Sequence, residues 1–193
     1  MLHEQRLRST LYFVTKGDDK LILISACLLG RNVKYNGSNN LVVWLEKYYD
    51  PKLFLAICPE VMVGFSIPRP AVEIQGGDGE KLVQEFLHKQ ELDVSIHNKQ
   101  GLDITRPFSR EITVLQALVR KHNVQYAILK ERSPSCGVAQ IYDGSFSGVR
   151  IKGKGVATAA LEKAGVTCYS EETLTETRLQ EIIKLEARRE KSE

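Results

Sequence analysis

Short apolar runs alternate with longer segments of helical periodicity along this chain. Residues 20–25 (KLILIS), 53–57 (LFLAI) and 126–129 (YAIL) are rich in branched side chains, a pattern typical of strands that are buried on both faces. A fourth short run at residues 166–169 predicts another strand. These four runs are interpreted as the strands of one sheet.

Helices are predicted between and after these strands. Apolar residues recur on one helical face near residues 82–87 and again near 112–119. Residues 156–163 (VATAALEK) predict a helix of small residues closed by Gly165, and a charged helix is expected from about Glu171. Because parallel strands need long crossover connections, this alternation predicts an α/β fold, a single-domain three-layer Rossmann-like sandwich with a mostly parallel sheet.

Composition and charge narrow the functional classes. The 193 residues include 27 basic and 24 acidic side chains, and the net charge of +3 is spread along the chain instead of forming a stripe that would bind nucleic acid. No apolar run approaches the roughly 20 residues that span a bilayer, and the polar start lacks the apolar core of a signal peptide. A cytoplasmic protein without a nucleic-acid or membrane partner is therefore expected, and the sequence leaves its oligomeric state unknown.

Three of the four cysteines directly follow predicted strands. Cys27 comes after the first strand, Cys58 after the second and Cys136 after the third, each beside Gly, Pro or polar residues. The absence of a C-x-x-C pair argues against a zinc ribbon or a thioredoxin-like redox motif. Because the carboxyl ends of parallel strands share one edge of a sheet, the three thiols are expected to converge there.

A free cysteine usually packs as a small hydrophobic residue, so this interpretation is weighed for each of the four. Cys168 lies inside a strand-like segment (VTCY) and is assigned to the structure. The turn-rich flanks of Cys27, Cys58 and Cys136 favour a functional site instead. Three thiolates suit soft metals and could hold three irons of a 4Fe-4S cluster, which would leave the fourth iron open.

Polar residues beside the second and third of these cysteines are candidates for proton transfer. Glu60 lies two residues after the second cysteine, while Ser133 and Ser135 bracket the proline of the third loop. Lys130 precedes the same loop, where a cation lowers the pKa of a thiol or steadies an anion. The alternatives are turn formation for the serines and the glutamate, and simple exposure for the lysine.

Two other functions stay open on the residues alone. The cysteines could bind zinc or a cluster structurally, in a binding module or sulfur carrier, although three ligands without a fourth argue against a closed site. In the other function Cys136 is the nucleophile of a cofactor-free cysteine enzyme. The four histidines occur singly, without metal-ligand spacing, and none is assigned a role.

Seven short segments occur together in a characteristic order. They are residues 25–30 (SACLLG), 35–37 (YNG), 58–60 (CPE), 68–69 (PR), 130–137 (KERSPSCG), 141–144 (IYDG) and 153–155 (GKG). This combination resembles the DUF523 family, which includes the thiouracil desulfidases, and it is far more specific than any one segment. The resemblance covers roughly residues 20–172.

The resemblance implies a domain organisation and a cofactor. Residues 21–175 are expected to form the catalytic domain, with residues 1–20 as an N-terminal extension and residues 176–193 as a charged C-terminal helix packed on, or trailing, the same domain. In desulfidases of this family three cysteines hold a 4Fe-4S cluster. By motif these are Cys27, Cys58 and Cys136 here, and one iron stays open.

The resemblance also implies a reaction. The open iron binds the sulfur of a thiolated nucleobase such as 2-thiouracil and polarises its carbon for attack by water, and sulfide is released without an external electron donor. Ser133 and Glu60 are then expected to transfer protons, with Ser135 and Lys130 as supporting polar groups. The partner implied is a small molecule.

Overall fold

A computed structural model describes residues 21–189, and four parallel strands lie at its centre. In chain order the elements are β1 (Ile22–Ser25), a 3-10 helix (Ala26–Leu29), α1 (Val43–Glu46), β2 (Phe54–Ile57), α2 (Pro59–Met62), β3 (Val72–Gln75), α3 (Gly79–Leu87), β4 (Ser95–Asn98), α4 (Thr105–His122), β5 (Tyr126–Leu129), β6 (Gln140–Tyr142), β7 (Arg150–Lys152), α5 (Val156–Lys163), β8 (Thr167–Ser170) and α6 (Glu176–Arg189). The strand order in the central sheet is β2–β1–β5–β8, and every neighbouring pair is parallel.

One face of the sheet is covered by α4 and α5. Leu23 and Leu55 point to this face, where they belong to one buried apolar cluster with Leu115 of α4 and Leu161 of α5. Alternate residues of a strand point to opposite faces, so the remaining apolar side chains of β1 and β2 must be covered from the other side.

The opposite face is covered by α1 and α6. Ile24 and Ala56 lie in a second buried cluster with Leu45 of α1 and with Leu179 and Ile182 of α6. Helices therefore cover both faces of a parallel sheet, and the predicted α/β fold is confirmed. The apolar face of α6 packs into this cluster, while the expected extension at residues 1–20 and the last residues, 190–193, lie outside the described residues.

Two small antiparallel sheets were not predicted. β3 pairs with β4, and β6 pairs with β7. Ile74 of β3 and Ile96 of β4 join a third buried cluster with side chains of α3, α4 and α5. The residues of β7 are all exposed, which explains why no apolar run marks that strand in the sequence.

The predicted boundaries agree with the structure except at the last helix. Residues 156–163 form a helix as predicted, and β1, β2, β5 and β8 fall within one or two residues of the predicted runs. The last helix begins at Glu176 and not near Glu171, because residues 171–173 form a turn. Of the described helices, none is both long and apolar enough to cross a membrane.

Candidate functional site

Three cysteine loops meet at one edge of the central sheet. Cys27 lies in the 3-10 helix that directly follows β1, Cys58 is the residue before α2 at the end of β2, and Cys136 lies in the loop after β5. Since β2, β1 and β5 are adjacent in the sheet, the predicted convergence of the three cysteines is confirmed. β2 and β5 pair with opposite edges of β1, so the direction of the strand order reverses at β1. In α/β sheets, ligands bind at the carboxyl ends of the strands at such a switch point.

A cavity of about 540 Å³ opens at this edge, and all three cysteines line it. Glu60, Ser133 and Lys130 also line it, whereas Ser135 does not. Aromatic side chains of Tyr35, Tyr142 and Phe146 contribute to other parts of the wall. The volume lies within the range of ordinary small-molecule sites.

The separation of the three cysteine loops indicates which kind of metal group their thiols suit. In the described part of the chain, no group of three or more His, Cys, Asp or Glu side chains is placed to hold one metal ion. Neighbouring strands lie about 4.8 Å apart, so loops on three successive strands start from positions up to about 10 Å apart. A polynuclear iron-sulfur cluster, in which each thiolate binds its own iron, takes a wider set of ligands than a single zinc ion does.

Burial favours the protonated form of the three thiols. Burial raises the pKa of Cys58 to about 12 and raises the pKa of Cys27 and, further still, that of Cys136. Charge on Cys27 also raises the pKa of Cys58, and charges on Cys27 and Cys58 both raise the pKa of Cys136. A thiol nucleophile needs a lowered pKa, so this setting disfavours Cys136 as the nucleophile of a cofactor-free enzyme. Iron binding would displace a proton from each ligand.

Arg69 is turned toward Glu60 and not toward the open cavity. Its Nε donates to Glu60 Oε2 at 2.6 Å, and both side chains are largely buried. Its Nη2 donates to the Val33 carbonyl at 3.2 Å and lies 4.0 Å from the sulfur of Cys58. A hydrogen bond between a guanidinium and a carboxylate is stronger than one between neutral groups, so this contact fixes the position of both side chains. The sequence left the role of Arg69 open, and the structure makes it the partner of Glu60.

Ser133 organises the backbone that carries the third cysteine. Its Oγ accepts hydrogen bonds from the N–H groups of Ser135 at 3.2 Å and Cys136 at 3.1 Å. A serine hydroxyl has two acceptor positions and one hydrogen to donate. With both acceptor positions used, the remaining capacity of Ser133 is donation, and this residue lines the cavity.

The other two candidate residues have partners that the sequence did not indicate. The hydroxyl of Ser135 is buried and donates to Glu111 Oε1 at 2.9 Å, on the side away from the cavity. Lys130 Nζ forms an ion pair with Glu171 and donates to the Glu131 carbonyl at 3.0 Å. The charge of Lys130 still lowers the pKa of Cys27, although burial of that thiol dominates its pKa.

Glu131 ties the loop after β5 into its shape. Its Oε1 accepts the backbone N–H groups of Val138, Ala139 and Gln140 at 2.9 to 3.0 Å and that of Arg132 at 3.3 Å. Burial on its own would raise the pKa of Glu131, but these backbone hydrogen bonds together lower it below its usual value. The cysteine loop therefore depends on the carboxylate of Glu131 for its shape.

We expect Glu131→Gln to destabilise the protein by about 2 kcal/mol at neutral pH, because a neutral amide is a weaker acceptor for these amides than a carboxylate. A lowered pKa in the folded state gives stability that is present above the unfolded pKa and is lost as pH falls through the folded value. The difference from the parent protein should therefore shrink below about pH 4. Urea unfolding at neutral pH and below about pH 4 measures the difference in stability between the variant and the parent protein. Glu181→Gln, at an exposed position, is the matched control, and an equal difference at the two pH values would contradict this role of Glu131.

Sequence reasoning missed three polar residues of the site. Asn40 donates from its Nδ2 to the Cys27 sulfur at 3.7 Å, and neither Glu131 nor Glu111 was considered. A signal for Glu111 was present, because this residue shares a helical face with Leu115 and Leu118, where a charged residue is out of place. No local pattern marks Glu131, which lies between two basic residues like an ordinary surface glutamate.

Comparisons with known proteins agree on one family. A family model described as 2-thiouracil desulfurase matches residues 22–173. The uncharacterized protein YbbK of Bacillus subtilis (strain 168) is 38% identical over 156 residues, which cover 81% of this chain and 99% of that protein. The structure of TudS, a 4Fe-4S-dependent thiouracil desulfidase, matches with a TM-score of 0.69 and 33% sequence identity, covering 86% of this chain and 99% of that one. The region matched by the family model contains all three cysteine loops.

Proposed function

This chain belongs to the 2-thiouracil desulfurase family, and we propose that it is an iron-sulfur-dependent desulfidase that removes sulfur from a thiolated nucleobase such as 2-thiouracil. The observation that carries this proposal is the cavity at the sheet edge, where three cysteines from adjacent strands lie with Glu60 and Ser133. The substrate is a small molecule, the products are the oxygenated base and sulfide, and the reaction takes place in the cytoplasm.

The residues present fit a 4Fe-4S cluster. Cys27, Cys58 and Cys136 would hold it, since thiolates are the ligands that such clusters take and the three thiols face one cavity. With three cysteine ligands the cluster would keep one open iron, a Lewis acid able to bind the sulfur of a thiocarbonyl group. No fourth cysteine competes for that position, because Cys168 lies on β8 and does not line the cavity.

Glu60 is the base in this proposal. Arg69 occupies its Oε2, while its Oε1 has no hydrogen-bond partner among the described residues. The Oε1 of Glu60 is therefore available to take a proton from the water that attacks the thiocarbonyl carbon. Arg69 holds the carboxylate in place through its contact with Oε2.

Ser133 is the hydrogen-bond donor. Both acceptor positions of its Oγ are taken by backbone N–H groups, so its hydroxyl hydrogen is left for a group in the cavity. A donor next to Cys136 is suitably placed to stabilise negative charge that develops on the substrate as the C–S bond breaks. Lys130 adds a positive charge at the same wall, and Ser135 supports the loop from below.

The test starts with anaerobic purification, followed by iron and acid-labile sulfide analysis and a visible spectrum. We expect about four irons and four sulfides per chain, a brown colour, and a spectral change when 2-thiouracil is added. Uracil and sulfide should then appear in equal amounts without any added reductant. A reconstituted protein that holds no iron would overturn the proposal, and a loaded protein that releases no sulfide from any thiolated pyrimidine would overturn the activity.

A further inference from the structure

Glu111 is a buried carboxyl group directly beneath the site, and the mechanism above does not use it. It lies on α4 with 1% of its surface exposed. Its Oε1 accepts the hydroxyl of Ser135 at 2.9 Å, and its Oε2 has no hydrogen-bond partner in the described part of the chain. A buried polar atom without a partner is rare in folded proteins and calls for an explanation.

The charges around Glu111 indicate its protonation state. α2, which carries Glu60, packs against α4, so the two carboxyl groups belong to one buried layer. Arg69 is a cation that acts on Glu111 and also binds Glu60, and its three donor groups are already bound to Glu60, Ser66 and Val33. Burial raises the pKa of Glu111 well above its usual range, and the charge of Glu60 raises it further. Burial and the neighbouring carboxyl group of Glu60 therefore both favour the neutral form of Glu111.

Ser135 links Glu111 to the cysteine loop, because its N–H donates to Ser133 Oγ and it directly precedes Cys136. Ser135 is 1% exposed, and its carbonyl accepts the N–H groups of Ala157 and Thr158 at the start of α5. A side chain at Gly155 would lie 2.3 Å from that carbonyl oxygen, so only glycine lets α5 approach so closely. Ser135 is thus fixed to α5 through its backbone and to α4 through its hydroxyl.

We propose that Glu111 is a positioning residue, whose carboxyl group holds the hydroxyl of Ser135 and thereby sets the loop that presents Ser133 and Cys136 to the cavity. This role rests on the proposed function of the site, but it is defined by contacts within the chain. Glu111 takes no part in proton transfer itself.

The role predicts that an uncharged acceptor can replace Glu111. Glu111→Gln keeps an oxygen at the position of Oε1, so it should match the parent protein in iron content and hold kcat within about twofold, with an unshifted pH profile. Glu111→Leu keeps the volume but leaves the Ser135 hydroxyl without a partner. We expect Glu111→Leu to lower kcat, or the fraction of the protein that holds iron, by about fivefold or more. In a double variant, Ser135→Ala should add little to Glu111→Leu, because both remove the same contact.

This test does not depend on the substrate, because it can be read from iron content alone. Iron is measured after anaerobic reconstitution, and circular dichroism checks that each variant is folded. A parent protein that binds iron but turns over no thiolated base would count against the proposed function, while the iron contents of the variants would still decide the role of Glu111. If Glu111→Gln loses as much iron or kcat as Glu111→Leu, or shifts the pH profile of kcat, Glu111 works through its ionisation and the proposal is wrong. It is equally wrong if a folded Glu111→Leu protein keeps both iron and kcat.

The pH dependence of stability gives a second readout. The groups that face Glu111 are Glu60 on α2, Arg69 in the segment after it, and Cys136 in the loop above. A raised pKa in the folded state gives stability that is full below the unfolded value and is lost as pH rises through the folded one. Between about pH 5 and pH 8, the urea midpoint of Glu111→Gln should therefore rise relative to that of the parent protein. A constant difference would mean that Glu111 is already ionised, against the proposal.

Discussion

Cys27→Ala, Cys58→Ala and Cys136→Ala each lose the bound iron of the reconstituted protein and bring desulfidation down to the background without enzyme. This result is expected because each thiolate would bind a different iron of the cluster, so removal of one ligand opens a second iron and exposes the cluster to loss. Iron analysis, the visible spectrum and sulfide release measure it. Since Cys136 is almost fully buried, circular dichroism must show that its variant still folds.

Cys168→Ala is the matched control for these three variants. This thiol is half-buried on β8 and packs at the edge of an apolar cluster, and burial raises its pKa as it does for the other three. Its replacement should cost about 1 kcal/mol of stability and leave the iron content unchanged. Full iron retention by all three cavity variants would overturn the cluster assignment, whereas loss of iron from Cys168→Ala would assign that residue a role that its position outside the cavity does not support.

Glu60→Gln should keep the cluster and slow sulfide release by about 10²- to 10⁴-fold, the usual range for the loss of a group that transfers a proton. Ser133→Ala should slow sulfide release per loaded cluster by about 10²- to 10³-fold, the range for the loss of a hydrogen-bond donor to developing charge. Glutamine cannot accept the proton of the attacking water, and alanine cannot donate a hydrogen bond to the substrate. The measurement is kcat at saturating 2-thiouracil, divided by the cluster content of each preparation.

Two further variants separate chemistry from scaffolding. Ser133→Thr retains the hydroxyl, both as an acceptor for the backbone N–H groups and as a donor, and should stay within about threefold of the parent kcat. Glu85→Gln removes the charge of another buried carboxylate, which accepts backbone N–H groups away from the cavity, and should leave kcat unchanged. Unaltered turnover in both Glu60→Gln and Ser133→Ala would remove these residues from the mechanism.

The sheet and its cysteine edge could be predicted because they depend on local patterns. β1, β2 and β5 are short apolar runs buried on both faces, and only a parallel sheet satisfies several such runs separated by helices. Once those strands are parallel, residues that follow them must share one edge. Three cysteines therefore converge even though they are far apart in the sequence.

The partners of the site residues could not be predicted, because they come from distant elements. Glu171 was expected within the last helix, yet it lies before that helix and pairs with Lys130, next to a buried loop. Ser135 was expected to be a supporting polar group in the cavity. Its hydroxyl instead donates to Glu111 of α4, on the side away from the cavity. Such contacts depend on how helices dock, and periodicity reports only which face is apolar.

The placement of the three cysteines directly after paired strands also bears on when the proposed cluster could be assembled. During synthesis, the chain offers no complete set of thiols until β5 has joined β1 and β2, and Glu171, which fixes the start of the third loop, is added later still. If the three cysteines hold the proposed cluster, iron and sulfide would therefore reach a chain that has already folded, through the opening of its cavity. A substitution that loosens the sheet far from the cysteines should consequently lower cofactor occupancy in cells before it alters any catalytic constant.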